Sequence, residues 1–244
     1  MASTVEGRKL TEAHRLAQVA LSRSTVADFL HVWRLLDPKD LNGSFPGYVR
    51  VARLIISANR NKSTALAQAY LDAFRKAEGI SGRLTAARAA ELAEAQATTS
   101  LLVTGPVTVK QKMSAGATVE AAMSRALVTS TGAVIRHVLN GGRETIAATV
   151  QRDPHAQGVA RVTDGEPCYF CAMLAGRGAV YKSEETASFK CHDNCGCTSE
   201  PVYNLDAYQL PAASQRFADL YANNSSGTGA EKLRNFRRAY EAQS

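Results

Sequence analysis

The sequence predicts an α+β protein that is mostly α-helical, with a helical N-terminal part followed by a small α/β region that carries a zinc-knuckle-like Cys/His module. Three observations support this class. Apolar residues recur at helical spacing over most of the first part of the chain. Stretches with the β-branched content of strands are short, and all but Val107–Val109 lie between 158 and 203. All five cysteines lie between Cys168 and Cys197.

Residues 1–105 are predicted to form a helical region. Thr11 is expected to cap a first helix, and Ser24 or Thr25 a second one that ends before Pro38. Trp33, the single tryptophan, is predicted to be a core anchor between helices. The region is therefore expected to be a bundle whose first two helices are separate.

The remainder of this region is predicted to be helical as well. Pro46 is expected to open a helix, because proline is tolerated in a first turn. Helix formers then continue through 65–77 and 84–95, with a break at Gly79-Ile80-Ser81-Gly82. Gly105-Pro106 is the best candidate for a boundary.

Residues 106–209 are predicted to form the α/β region. A helix from Val119 is expected to stop at Asn140-Gly141-Gly142, and a short helix, Arg143–Arg152, to follow it. Cys171–Ala175 is expected to form a helical turn. The predicted strands are Val107–Val109, Gly158–Thr163, Val180–Tyr181 and Thr198–Tyr203, with Pro201 indicating a sheet edge for the last.

Residues 210–244 are predicted to form C-terminal helices. A helix over Leu210–Tyr221 is followed by a flexible polar linker at 223–229 and an amphipathic helix over Glu231–Ala242. This last helix either docks a partner or folds back onto the body, and the pattern leaves both open.

The composition sets limits on function. The 244 residues are 45% hydrophobic, which excludes a disordered chain, and no run of about 18 apolar residues is present, so no membrane contact is predicted. The net charge of +7 permits contact with nucleic acid or an acidic protein without demonstrating either. Met1–Arg8 has no apolar signal segment, so a reducing cytosol is expected.

The stretch from Cys168 to Cys197 carries the strongest functional signal. It reads Cys-Tyr-Phe-Cys at 168–171 and Cys-His-Asp-Asn-Cys-Gly-Cys at 191–197. Thiolate and imidazole are preferred zinc ligands, and a structural zinc site needs four. These two turns, called here the first and second knuckles, are predicted to share one structural zinc ion. The predicted ligands are Cys168, Cys171, His192, Cys195 and Cys197.

The choice among these five stays open. Cys168, Cys171 and Cys197 come first, and the fourth ligand is Cys195 or His192. Cys191 is expected to be the spare thiol. A supply of more than four ligands favours a closed structural ion over a catalytic one, which keeps an open position. Disulfides are disfavoured because an odd cysteine count leaves one thiol unpaired.

The same region resembles the phage Mu F-like minor head protein family, in particular the form carried by actinobacterial siphophages between the portal and scaffold genes. The residues that carry the resemblance are Arg161-Val162-Thr163, Cys168-x-x-Cys171-Ala172-Met173-Leu174, Gly178-x-x-Tyr181 and His192-x-x-Cys195-x-Cys197. It covers roughly residues 130–205 by motif. One departure is Cys191, where a residue other than cysteine is expected, and it bears on the identity of the fourth ligand.

This resemblance implies a structural minor capsid protein in the virion, inside the head or at the portal vertex and made in the bacterial host cytoplasm. The implied role is head morphogenesis, with DNA ejection left open. The implied partners are the portal protein, the scaffold or major capsid protein, and packaged DNA. Members of the actinophage branch are also labelled capsid maturation proteases, so that activity is the first alternative.

Two other functions were weighed from the residues. A protease could pair His155 with Ser183 or Ser188, although neither Gly-x-Ser-x-Gly nor His-Glu-x-x-His is present. A DNA-binding zinc module could use cations interleaved with rings that stack on bases. Those residues are Arg161, Arg177, Lys182, Lys190, Tyr169, Phe170, Tyr181 and Phe189.

Overall fold

Three long helices form the frame of the protein in a computed structural model that describes residues 1–181 and 191–243. The frame helices are α1 (Val5–Trp33), α2 (Leu41–Ala77) and α5 (Val119–Arg152). The shorter helices are α3 (Glu94–Leu102), α4 (Thr108–Ser114), α6 (Tyr169–Gly176), α7 (Ala212–Asn224) and α8 (Gly229–Glu241). The strands are β1 (Gly158–Val162), β2 (Val180–Tyr181) and β3 (Thr198–Val202). The predicted fold class, a mostly helical α+β protein, is confirmed.

An aromatic cluster fills the core at one end of the frame. Phe29 and Trp33 of α1 meet Tyr48 of α2, with ring centroids between 5.8 and 6.3 Å apart. All three side chains are buried, and Leu101 and Val109 pack in the same cluster. The expectation that Trp33 is a core anchor is therefore confirmed.

Helix α1 is continuous, so its predicted division is wrong. Its cap is Thr4, whose hydroxyl accepts a hydrogen bond of 2.9 Å from the Gly7 N–H. The Thr25 hydroxyl donates instead to the Leu21 carbonyl at 2.8 Å, which keeps the threonine inside the helix. Thr11 is also internal, and it bonds to side chains of other elements. Similarly, α2 begins at Leu41 behind the cap Asp40, so Pro46 lies inside it.

Helix α5 is also continuous, and the predicted stop at Asn140-Gly141-Gly142 is wrong. A Cβ added to Gly141 would lie 2.5 Å from the Arg60 carbonyl oxygen of α2. The Gly142 N–H donates to Ser63 Oγ at 3.0 Å, and Ser63 donates to Gln18 Oε1 of α1 at 2.8 Å. These glycines serve close packing of the three frame helices, because only a residue without a side chain fits there.

The predicted helix over 84–95 is wrong before Glu94, where α3 begins, since residues 80–93 form neither helix nor strand. Their backbone groups bond to side chains of neighbouring helices rather than to one another. The Ala87 N–H donates to Thr149 Oγ1 at 2.9 Å, and the Ala90 carbonyl accepts from Arg60 at 2.9 Å. Gly79 and Gly82 have positive φ, as a break there requires.

Residues 107–109 are helical, so the strand predicted there is wrong. A π-helical turn, Val103–Val107, leads directly into α4. Gly105 and Pro106, the candidate boundary, are buried in this turn. Helix α5, which follows this candidate boundary, packs on α1 and α2, which precede it. The division of the chain into 1–105, 106–209 and 210–244 stays a prediction.

The three remaining strand predictions are confirmed. Among the described residues the strands form one antiparallel sheet in the order β2-β1-β3, with Val159 opposite both Val180 and Pro201. Pro201 therefore lies on an edge strand, as expected. The preceding residue of β3, Glu200, is buried and accepts a hydrogen bond of 2.6 Å from the Thr11 hydroxyl of α1.

The C-terminal helices fold back onto the α/β region. Phe236 of α8 is fully buried and packs with Ala172 and Met173 of α6, and the Tyr240 hydroxyl donates to the Pro167 carbonyl. This is the second of the two arrangements that the sequence left open for the last helix. Among the described helices, none has both the length and the apolar character of a membrane span.

We predict that Gly141→Ala destabilises the protein, because its Cβ would overlap the Arg60 carbonyl of the packed α2 backbone. The expected loss of unfolding free energy is about 1–3 kcal/mol, measured by urea denaturation. Gly47→Ala is the matched control, since it is an exposed helical glycine whose added Cβ meets no atom within 4 Å. It should gain about 0.5–1 kcal/mol. Equal behaviour of the two variants would contradict the packing role.

We also predict a pH-dependent term from Glu200. Burial raises the pKa of this carboxyl above its usual value, although the Thr11 hydroxyl bonds to it. A raised folded-state pKa means that the contribution to stability is complete at low pH and is lost as the pH rises through that pKa. Glu200→Gln should therefore gain stability relative to the wild type between about pH 4 and pH 7.

Chemical denaturation at a series of pH values measures this difference. The exposed Glu91→Gln removes one negative charge without changing a buried group, and it serves as the control. A pH-independent difference for Glu200→Gln would show that the buried carboxyl does not act in this way.

Candidate metal centre

The first knuckle is formed where the chain leaves β1 and begins α6. Cys168 is the N-cap of this helix, and its sulfur accepts a hydrogen bond of 3.4 Å from the Cys171 N–H. The cap geometry turns both sulfurs to the same side. Arg161 of β1 donates from Nη1 to Cys171 Sγ at 3.5 Å, which places a positive charge beside the buried sulfur.

The second knuckle is a tight turn before β3. Asn194 has a φ of 63°, a left-handed conformation that asparagine tolerates better than most residues, and the Cys195 N–H donates to the His192 carbonyl at 3.3 Å. The Gly196 N–H donates to Asp164 Oδ2 at 2.9 Å, where an added Cβ would lie 2.4 Å from that oxygen. Asn194 thus turns the chain, and Gly196 permits the close approach of Asp164.

The two knuckles meet, and the five predicted ligands fall into two groups of three. One group is Cys168, Cys171 and His192, and the other is Cys171, Cys195 and Cys197. Within each group all ligand atoms lie within 4.8 Å of one another, and Cys171 belongs to both. Cys171 Sγ is 3.5 Å from Cys195 Sγ, and Cys168 Sγ is 2.6 Å from His192 Nε2.

This arrangement could hold a metal ion. Sulfurs bound tetrahedrally to one zinc ion at about 2.3 Å lie roughly 3.8 Å apart, close to the Cys171–Cys195 separation. Cys171, Cys195 and Cys197 are buried, Cys168 is half-buried and His192 is exposed. The thiols therefore form the inner side of the centre, and the imidazole lies on its solvent side.

Cys191 belongs to neither group. Its thiol donates a hydrogen bond of 3.1 Å to Asn140 Oδ1 of α5. Burial raises the pKa of this thiol, which favours its protonated form.

The thiols influence one another electrostatically. Hydrogen bonding from Cys171 is the main cause that lowers the pKa of Cys168 to about 5, and the contact with His192 adds to it. Hydrogen bonds with Cys168, Cys195 and Cys197 raise the pKa of Cys171. Burial alone would lower the pKa of His192, but its bonds to the Asp193 carbonyl and to Cys168 raise it. Cys168 therefore loses its proton more readily than Cys171 does. A metal ion would displace the protons of the thiols that bind it.

Residues of α5 that were not predicted to belong to the site contact the second knuckle. Arg143 donates from Nε to the Cys197 carbonyl at 2.9 Å, and Arg136 forms an ion pair of 2.6 Å with Asp193. Together with Gly132 and Asn140 they are spaced by three or four residues, which puts them on one helix face. The sequence contains that spacing, but the predicted stop at 140–142 assigned Arg143 to a different helix from Gly132 and Arg136.

The residues considered for a protease receive no structural support within the described part of the chain. His155 is exposed in a loop, where its N–H donates to Asp153 Oδ1 at 3.0 Å. Ser183 and Ser188 lie outside the described residues. Between 1 and 181 and between 191 and 243, no serine hydroxyl bonds to a histidine ring.

Of the residues considered for DNA binding, three of the four whose side chains the structure describes are engaged within the protein. Arg161 contacts Cys171, Arg237 lies 4.9 Å over the Tyr169 ring, and Phe170 packs in the cluster around Phe236. The five cysteines form a separate cluster of their own. Arg177 is exposed. Lys182, Phe189 and Lys190 lie outside the described residues, and the Tyr181 side chain is not described.

A family model described as VG15 protein matches residues 6–224, from α1 through α7, and so includes both knuckles. No curated protein and no solved structure matches the chain. The match covers most of the sequence, and the chain therefore belongs to the VG15 protein family, a family of viral and phage gene products.

Proposed function

We propose that this protein is a structural minor head protein of a tailed bacteriophage, of the Mu F-like kind, located inside the head near the portal. The family match over residues 6–224 is the observation that carries the proposal, because it places the chain among phage gene products. The Mu F-like motif residues support the narrower assignment. The proposed partners are the portal protein and the scaffold or major capsid protein, with packaged DNA as a further contact.

The metal in this proposal is one zinc ion with a structural role. Four of the five residues Cys168, Cys171, His192, Cys195 and Cys197 hold it, and Cys171 is the ligand common to both groups. When bound, zinc supplies a rigid tetrahedral link between the two knuckles. Thiolate-rich sites favour zinc among divalent ions because sulfur is a soft ligand.

The proposed ion joins two parts of the fold. The first knuckle begins α6, which packs on α7 and α8, and the second knuckle lies against α5 of the frame. A link between the knuckles would therefore fasten the C-terminal helices to the frame. A minor head protein needs a fixed shape at its contacts, and this arrangement provides it without a catalytic residue.

One contact favours the alternative of a capsid maturation protease. Cys168 Sγ and His192 Nε2 are 2.6 Å apart, and His192 Nδ1 lies 2.5 Å from the Asp193 carbonyl oxygen. A thiol beside an oriented imidazole is the arrangement of a cysteine nucleophile and its base. We favour the structural role because Cys171 completes a group of three possible ligands with this pair and belongs to a second such group with Cys195 and Cys197, as a metal site requires and a protease does not.

We predict that Cys171→Ser loses the metal ion, because it removes the ligand shared by both groups. Zinc supplies on the order of 10–16 kcal/mol of folding free energy in small zinc modules, so the variant should also unfold at a lower temperature. Metal analysis of purified protein and thermal unfolding measure the two effects. Cys191→Ser is the matched control and should keep its metal. Full metal content in Cys171→Ser would contradict the proposed site.

We predict that the protein is present in purified heads and that it trims no capsid protein. Mass spectrometry of heads and scaffold produced with and without the protein tests both points. Unchanged masses are expected for a structural component. If scaffold or major capsid protein is cleaved only when the protein is present, and Cys168→Ser abolishes the cleavage, the protease alternative is correct.

A further inference from the structure

One face of α5 contacts the second knuckle along its whole length. Four residues, Gly132, Arg136, Asn140 and Arg143, make up this face, which is called here the knuckle-facing stripe. We infer that the stripe is a template that holds the second knuckle in its ligand-presenting shape before an ion binds, with Arg143 as the principal positioning residue. The inference rests on the proposed metal centre.

Arg143 makes the central contacts. Its side chain is buried, with 2% of the residue exposed. Nε donates to the Cys197 carbonyl at 2.9 Å, and Nη2 donates to the Cys195 carbonyl. A guanidinium is planar and presents its donors in a fixed fork, so it sets the relative position of both carbonyls. The backbone of two predicted ligands is therefore fixed by one side chain.

The other stripe residues fix the remainder of the turn. Arg136 pairs with Asp193 at 2.6 Å. Asn140 Oδ1 accepts from Cys191 Sγ at 3.1 Å and from Arg143 Nη1 at 3.0 Å. The second knuckle is thus held at its start, in its middle and at its end.

Gly132 permits the close approach at the tip of the turn. The Asn194 N–H lies 3.5 Å from the Gly132 carbonyl oxygen, and a Cβ on Gly132 would lie 2.7 Å from the Asn194 side-chain amide. A side chain at this position would force the Asn194 amide to move. This glycine therefore serves the docking of the turn.

These contacts have a thermodynamic consequence for metal binding. An ion that binds a disordered loop must also order it, and the loss of the loop's conformational entropy opposes binding. A loop already fixed on α5 avoids this cost. Outer groups of this kind commonly change metal affinity by about 10–100-fold when they are removed.

Titration with Co²⁺ tests the inference, because thiolate-bound cobalt has a visible absorption that reports both affinity and geometry. We predict that Arg143→Met weakens Co²⁺ binding by about 10–100-fold. Arg143→Lys keeps the charge but not the fork, and it should recover part of the affinity. Gly132→Ala should weaken binding as well, whereas Gly47→Ala should not.

Arg75→Met is the matched control for the loss of a buried arginine. Arg75 is also buried and donates to a backbone carbonyl, that of Ser81 at 2.7 Å, but it contacts neither knuckle. This variant should lose stability without losing Co²⁺ affinity. An equal loss of affinity in Arg75→Met and Arg143→Met would overturn the positioning role, since it would reflect general destabilisation.

Hydrogen exchange of the metal-free protein tests the template directly. Amides of residues 193–197 should be protected in the metal-free wild type and should exchange faster in Arg143→Met or, if that variant does not fold, in Gly132→Ala. Equally fast exchange in wild type and variants would overturn the inference. A wild type that binds neither Co²⁺ nor Zn²⁺ would instead overturn the metal centre, and the exchange experiment would still decide whether α5 holds the turn.

Discussion

The close contact between α2 and α5 is the constraint on which the rest of the structure depends. At this crossing Gly141 meets the Arg60 carbonyl and Gly142 donates to Ser63, so the two backbones approach without side chains between them. Because α5 passes through this crossing without a break, it carries the frame and the second knuckle on one rigid element. A bend at the glycines would separate the two.

Different sides of α5 serve different neighbours. The Ala89 and Ala87 N–H groups, in the segment between α2 and α3, donate hydrogen bonds to Thr145 and Thr149. These bonds replace the internal bonds that a helix would have supplied. The knuckle-facing stripe holds the second turn of the candidate metal centre. One helix therefore organises a structural segment and a ligand-bearing turn, which explains why its continuity matters more than that of any shorter element.

The candidate centre and the family membership together shape the functional picture. Membership of a phage family is consistent with the proposed virion component, and a thiol-rich centre that joins two parts of the fold suits a protein that must keep its shape. The Cys168–His192 contact is the feature that a catalytic role would use. Cys171, which the two groups of possible ligands share, is the feature that the proposed structural ion would use.

The sequence by itself determined the fold class, the strands at 158–162, 180–181 and 198–202, and the set of five clustered Cys/His residues, because these depend on local composition and spacing. Only the tertiary structure decided that α1 and α5 are continuous and that residues 80–93 form neither helix nor strand. The reason is that Thr25, Gly141 and Gly142 look like helix ends in isolation. The Thr25 hydroxyl instead bonds within its own helix, whereas the two glycines lie where α2 packs on α5, so that the neighbouring helix, and not the local sequence, determines the outcome there.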